Sequence, residues 1–383
     1  MCPPLNGHRR LTAIPQSTGL EPEAQTQLTW GLCVATLNRL DSLVICVGCA
    51  LSQTRKPDEI VVVDASDDWE RNRDHIAAML PQDGSIRFCY RQAKMRSLTN
   101  QRNQGIKEAS VDVLFLIDDD SYLYPDAAGL IMGCYEKPGA ERLVGLSLAR
   151  AETPPSTDAE AKTPLRKDNA ANRDAAEKRI MRSGVLRWIY REVLLMQMEK
   201  DFIDYDSDIL HGTREEFDAM QIPDAGFTKF IAGFALTARR TVILKEFFEP
   251  SFLAYCPGED LDVTYRMGRH GVLGWSNVAK VYHADAAAGR IKRRKATALR
   301  ALNLAFLQRR HSTRPKVSAA RYVVYIARRV LAEFLKDMLS RRFSLPQLRG
   351  VFLAIRHSPA LWLQDKAKLE SWYIDLQKRI LQA

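Results

Sequence analysis

Residues 59–64, EIVVVD, form an almost unbroken β-branched run that ends on an acid. Such a run lacks the alternation of a half-exposed strand, so it reads as a central strand covered on both faces. That requirement constrains the whole N-terminal half, because a strand covered on both faces needs helices above and below it. The flanking segments supply them. TWGLCVAT (29–36) reads as a buried strand, Ser42–Gln53 as an apolar helix, residues 70–80 as a helix and SIRFCYR (85–91) as a strand. SLTNQRNQGIKEAS (97–110) reads as a helix and VDVLFLID (111–118) as a fourth strand. Strand–helix alternation at this spacing predicts right-handed crossovers and a mostly parallel α/β sheet.

In sheets of this kind ligands sit outside the carboxyl ends of the strands. Three predicted strand ends carry polar residues: Thr36, Asn38 and Arg39; Asp64, Ser66 and Asp67; and Asp118, Asp119 and Asp120. No glycine-rich dinucleotide or Walker loop accompanies them, which weakens both of those readings. Three consecutive aspartates repel one another unless a cation neutralises them. A loop with a helix cap accounts for one of the three comfortably. A divalent cation accounts for the set.

Two later stretches carry further candidates. YCPGEDLDVTYRMGRHG (255–271) places Glu259, Asp260 and Asp262 at the start of a predicted helix, where acids also complement the helix dipole. AKVYHADAAAGR (279–290) places His283 directly after an apolar, strand-like run. A lone histidine of this kind matters chemically only if the fold brings it beside the aspartates. In KFIAGFALTARR (229–240) a strand-like run is broken by Gly233, where the backbone must bend or approach another group closely.

The order of these stretches resembles that of a family 2 glycosyltransferase with the GT-A fold. A strand ending in T-x-N-R is followed by D-x-S, an N-x-x-N-x-G-I helix, a DxD, G-E-D-x-D and a final histidine before G-R. The likeness covers about residues 30–290. It implies an inverting transferase that uses a nucleotide-diphospho-sugar with Mn2+ or Mg2+, acting on a saccharide or lipid-linked acceptor in bacterial surface polysaccharide or glycolipid synthesis. By that resemblance Asp120 is the direct metal ligand, with Asp118 nearer the ribose or a metal-bound water and His283 the distal ligand. Thr36, Asn38, Arg39, Asp64 and Asp119 line the nucleotide-sugar pocket, and Asp64 accepts from the base or ribose. Arg102 stands near the nucleotide; a solvent-facing helix arginine is the alternative. Asp260 is the general base, with Glu259 or Asp262 able to hold the role instead. The rivals are a sugar nucleotidyltransferase, whose basic, glycine-rich loop is missing from TLNRLDS, and a non-catalytic scaffold that keeps the fold.

At 383 residues the chain has room for one large or two medium domains. The expected division is a leader (1–28), a GT-A domain (29–289) with a mobile insertion at 152–174, and a basic, mainly helical C-terminal region (290–383). That last region holds 22 Lys and Arg against 5 Asp and Glu, while the remaining residues hold 34 against 41. Such asymmetry suits contact with an anionic surface. RYVVYIARRVLAEFLKDMLSRR (321–342) sets Tyr322, Ile326, Val330, Phe334 and Met338 at helical spacing among arginines. It reads either as an interfacial membrane helix or as a helix packed on the body or in a homo-oligomer. No nucleic-acid-binding module is recognisable, so nucleic acid is not expected. No run of 18 apolar residues and no signal-peptide core is evident; the family resemblance, with its lipid-linked acceptors, implies a cytoplasmic location, peripheral on the inner face of the membrane. The seven scattered cysteines argue for reduced thiols, and Cys46-x-x-Cys49 reads as small hydrophobes in a core helix.

Overall fold

The computed structural model describes residues 27–155, 183–189, 211–254, 257–284 and 291–382. Most of the expected leader and insertion, and most of the helical periodicity at 175–200, lie outside these residues.

The N-terminal half alternates as its sequence requires. Strands β1 (Trp30–Thr36), β2 (Glu59–Asp64), β3 (Arg87–Gln92) and β4 (Val113–Leu116) are separated by α1 (Leu40–Leu51), α2 (Trp69–Ala77) and α3 (Leu98–Glu108). The pairing is parallel and in register, with Thr36 opposite Asp64 and Asp64 opposite Gln92. The polar ends of β1 and β2 therefore stand side by side. After β4 come β5 (Ser121–Leu123), α4 (Ala127–Glu136), β6 (Leu143–Ala151), α5 (Arg214–Ala219), β7 (Ala225–Thr228) and β8 (Leu236–Arg239). They are followed by α6 (Arg240–Glu246), α7 (Glu259–Met267) and the long strand β9 (Val272–His283).

The described strands join in the order β3-β2-β1-β4-β8-β6-β9-β5, with β7 on β9. β8, β5 and β7 run against the other six, so the sheet is mostly parallel, and its antiparallel members are confined to the half beyond β4. Alternate side chains divide between two layers of core. Trp30, Leu32, Val34, Ile60, Val62 and Phe115 face α1 and α4 on one side. Cys33, Val61, Leu114 and Leu116 face α3, α6 and α7 on the other. Gly105 lets α3 lie close on β1, since a Cβ there would come within 2.6 Å of the Cys33 sulfur. Cys46 is buried in α1, and Cys49 half-buried; burial pushes the Cys46 thiol well up and that of Cys49 to about 12, in keeping with small core hydrophobes.

The C-terminal region is helical: α8 (Arg293–His311), α9 (Pro315–Leu339), α10 (Pro346–Leu363) and α11 (Leu369–Gln382). It shares a third core with the body, in which Phe252 and Tyr265 meet Leu302, Phe306, Tyr373 and Leu376. The Phe306 and Tyr373 rings stack at 4.5 Å, and Phe252 lies 5.9 Å from Phe306. Gln377 of α11 donates to Ser251 O and accepts from Leu253 N, at 2.8 and 3.0 Å. Asn303 of α8 donates to Pro257 O at 3.0 Å. The helices thus hold the stretch that leads into α7 and its acids. Among the described residues no helix is long and apolar enough to cross a membrane.

Phe252 is fully buried at this junction. Replacing it with Ala should cost about 3–5 kcal/mol through lost contact and residual cavity. Urea denaturation would measure the loss, with α8 and α11 becoming protease-sensitive together.

Candidate active site

The site assembles because two distant segments end at one place. β5 pairs with β9 so that Ser121 lies opposite His283, and Ala284 N donates to Asp120 O at 2.9 Å. This register sets His283 beside the aspartate run. Its Nε2 lies 3.2 Å from Asp120 Oδ1 and 3.7 Å from Asp118 Oδ2. One ligand atom from each of Asp118, Asp120 and His283 falls within 4.8 Å of the other two. The Phe234 ring stacks on the imidazole at 4.7 Å and 7°, which fixes the ring plane. Two carboxylates and an imidazole form a donor set that suits Mn2+ well and accommodates Mg2+.

The middle aspartate turns elsewhere. Asp119 is buried, accepting from Thr36 Oγ1 at 2.7 Å and Arg39 Nη1 at 3.0 Å. It clasps the end of β1 to the end of β4. Burial pushes its carboxyl up to about 7 against the pull of Arg39. Arg39 also lies 3.6 Å from Asp120. Asn38 has a left-handed φ of 55° and donates its backbone N–H to Ser66 Oγ at 2.7 Å. Asp64 is fully buried, and its carboxylate accepts from Ser66 N, Asn72 and Tyr90 at 2.7–2.9 Å. It braces the loop beneath the expected base pocket.

Arg102 is not the solvent-facing helix arginine of the alternative reading: it is 2% exposed. Its Nη2 donates to Asp118 Oδ1 at 2.6 Å and to Gly233 O at 3.1 Å, while Nη1 lies 3.6 Å from Glu259 Oε1. The Phe248 ring covers the guanidinium at 5.1 Å. One buried cation therefore joins the aspartate run to the acids of α7. Gly233 is the close approach that its position foretold, since a Cβ there would meet Arg102 Nη1 at 2.9 Å.

The acids of α7 divide by what they touch. Asp260 accepts from Gly233 N at 3.1 Å and from Leu261 N at 2.9 Å. Glu259 leans on Arg102. Burial raises both carboxyls above their ordinary range; Asp260 beside Glu259 adds to the rise there, and the two backbone N–H bonds oppose it at Asp260. Asp262 is fully buried and occupied: it accepts from Arg266 Nε and Nη2 at 3.1 and 2.7 Å, and lies 3.7 Å from His311. That leaves Glu259 and Asp260 as the acids that share a locality with Arg102.

Reading the sequence for charged residues passes over the amides and the aromatic ring that hold these groups. Gln101 donates to Thr36 O and Val63 O at 2.9 and 3.0 Å, pinning the ends of β1 and β2. Asn103 both donates to and accepts from the Phe248 backbone. The signal is present in TNQRNQ, where five consecutive amide or guanidinium side chains (Asn100–Gln104) point to every side of a helix, the core side included. Phe234 has no such signal.

Residues 32–194 match the family model described as Glycosyl transferase family 2. A solved structure, described as the crystal structure of GalNAc-T7 with UDP, GalNAc and Mn2+, is similar at 14% identity with a TM-score of 0.45. The match covers 68% of this chain and 44% of that one, so this chain spans less than half of that protein's length. No curated protein matches the chain.

Arg102→Met would leave Asp118 and Glu259 without their shared cation. The expected loss is about 3–5 kcal/mol, the size seen when one partner of a buried ion pair is removed. Arg102→Lys should recover little of it, since one ammonium cannot reach three acceptors in a fork. Chemical denaturation of the three proteins would check both statements.

Proposed function

We propose that this protein is an inverting, metal-dependent glycosyltransferase. It would move a sugar from a nucleotide-diphospho-sugar, a UDP- or dTDP-sugar, to a hydroxyl of a saccharide or lipid-linked acceptor. The observation that supports this most is the link made by Arg102 between the donor set Asp118–Asp120–His283 and the pair Glu259–Asp260, in a chain that matches the family 2 model. Residues 29–289 would form the catalytic unit and 290–383 an accessory helical region. The setting we assign is bacterial surface polysaccharide or glycolipid synthesis at the cytoplasmic face of the membrane.

Asp118, Asp120 and His283 would hold Mn2+ or Mg2+. Bound there, the ion would supply Lewis-acid neutralisation of the departing diphosphate. Thr36, Asn38 and Arg39 would line the nucleotide side, with Asp119 fixing Arg39 in place and Asp64 bracing the loop beyond. Arg102 would hold Asp118 and Glu259 at a set separation before substrate arrives, which is the form of electrostatic preorganisation that costs nothing at the moment of reaction.

Asp260 is the residue we assign as general base. Two backbone N–H groups fix its carboxylate, each oxygen keeps a further lone pair, and burial raises its proton affinity above the ordinary carboxylate value. It would accept the acceptor hydroxyl proton while that oxygen bonds to C1 of the sugar and the C1–diphosphate bond breaks. Attack opposite the leaving group inverts C1.

Thermal-shift measurements with UDP, dTDP, GDP and CDP, each with and without Mn2+, test the reading, because a ligand of the native state raises its apparent stability. One nucleotide should shift the transition only with metal present. Asp120→Ala should abolish that shift. Asp260→Asn should keep it while sugar transfer falls by ~10²–10⁴. The absence of any nucleotide shift would sink the assignment, and equal loss of the shift in both variants would refute the division of roles.

A further inference from the structure

The two arginines already placed at the candidate site direct their charge at the protein's own acids, Arg39 at Asp119 at 3.0 Å and Arg102 at Asp118 at 2.6 Å. A third arginine stands close by and does not. Arg150 is the last residue but one of β6 and is exposed. β6 runs parallel to β9 with Arg150 opposite Val281, two residues before His283. It runs antiparallel to β8 with Ser147 opposite Leu236, so its carboxyl end lies toward Gly233. Arg150 thus stands between the strand end that carries His283 and the turn that holds Arg102 and Asp260. That is the edge of the sheet where ligands sit in α/β folds.

The side chain is aimed as well as placed. Its guanidinium carbon lies over the Phe234 ring, 5.9 Å from the centroid, and the same ring stacks on His283 at 4.7 Å. An aromatic face attracts a cation through its quadrupole and leaves the in-plane N–H donors of the guanidinium uncommitted. Among the described residues Arg150 makes no hydrogen bond and no ion pair, the nearby Glu152 included. Its five N–H donors form a planar fork that fits phosphate and carboxylate. The neighbouring set Asp118, Asp120 and His283 suits an ion that itself takes phosphate oxygens. Phosphate is therefore the anion that the ion and the arginine would share.

We propose that Arg150 is a substrate-binding residue that takes a phosphate oxyanion at the mouth of the candidate site. The proposal rests on the glycosyltransferase reading, in which two phosphate-bearing groups come near: the diphosphate of the donor and the phosphate of a lipid-linked acceptor. Phe234 would serve as a platform that keeps the fork over the site before the ligand arrives.

Calorimetric titration of the full chain tests this with two kinds of probe. One is UDP, dTDP, GDP or CDP with Mn2+; the other is decyl phosphate, a soluble stand-in for a lipid-linked phosphate. Arg150→Gln should weaken at least one of them by ~10-fold or more, the size of a hydrogen bond to a charged group. Arg150→Lys should recover part of the loss, because it restores the charge without the fork. The ligand-free thermal transition of both variants should hardly move, since Arg150 is exposed and has no ion pair to break. A loss confined to the nucleoside diphosphate would assign Arg150 to the donor, and one confined to decyl phosphate to the acceptor. Unchanged binding of every probe by Arg150→Gln would overturn the proposal and leave the catalytic reading standing. A wild type that binds no probe would overturn both.

Discussion

Three carboxylates on consecutive residues at the end of a buried strand need compensation. Two charges 4 Å apart in an environment of effective dielectric 20 repel by ~4 kcal/mol, which is comparable with the stability of a whole domain. The fold eases the problem by giving each aspartate a separate nitrogen-bearing partner from a different element. Asp118 faces Arg102 of α3, Asp119 faces Arg39 at the start of α1, and Asp120 faces His283 at the end of β9. Because each partner comes from a distant part of the chain, pairing the run also fixes where those parts lie. The same geometry that relieves the repulsion leaves Asp118, Asp120 and His283 converging on one point.

Arg102 extends that constraint to the other half of the site. Its guanidinium spans Asp118, the Gly233 carbonyl and Glu259, and the Gly233 amide in turn holds Asp260. The link therefore runs from Asp118 to Asp260 through Arg102 and two contacts at one glycine. A side chain at that glycine would occupy the space of the guanidinium. The backbone there forms a short 3₁₀ turn (Gly233–Ala235) before β8. The C-terminal helices act on the same assembly from outside, since Gln377 and Asn303 hold the backbone just before α7.

Elements fixed by local pattern were legible in the sequence. The buried runs of β1, β2 and β4 and the periodicity of α1 and α3 need no tertiary information, because two-sided burial writes itself as continuous β-branched residues. The acids and His283 were legible as candidates because unpaired charge beside apolar runs is rare. Their division of labour was not. Asp119 and Asp262 carry the same carboxylate as Asp120 and Asp260, and only the positions of Arg39 and Arg266 separate clasp from site. The reversal of the sheet beyond β4 was likewise hidden, since β5, β7 and β8 have three or four residues each, too few to show a period.

The C-terminal helix shows how a periodic reading can be sound in type and misplaced in phase. The stripe Tyr322, Ile326, Val330, Phe334, Met338 repeats every fourth residue, and each such step turns ~40° beyond a full revolution of the helix. Over four steps the stripe winds through almost half the circumference, so its beginning and end cannot share a face. Tyr322 is buried against Trp362 and Ser358, while Phe334 and Met338 are exposed. The repeat that stays on one side is that of 317, 324, 331 and 338, with its period of seven. A helix that spends its inward face on Arg329, Glu333 and Asp337 has satisfied its charges inside the protein. Its heptad-spaced apolar residues, Val317, Val324, Leu331 and Met338, are then the ones left exposed on the other side.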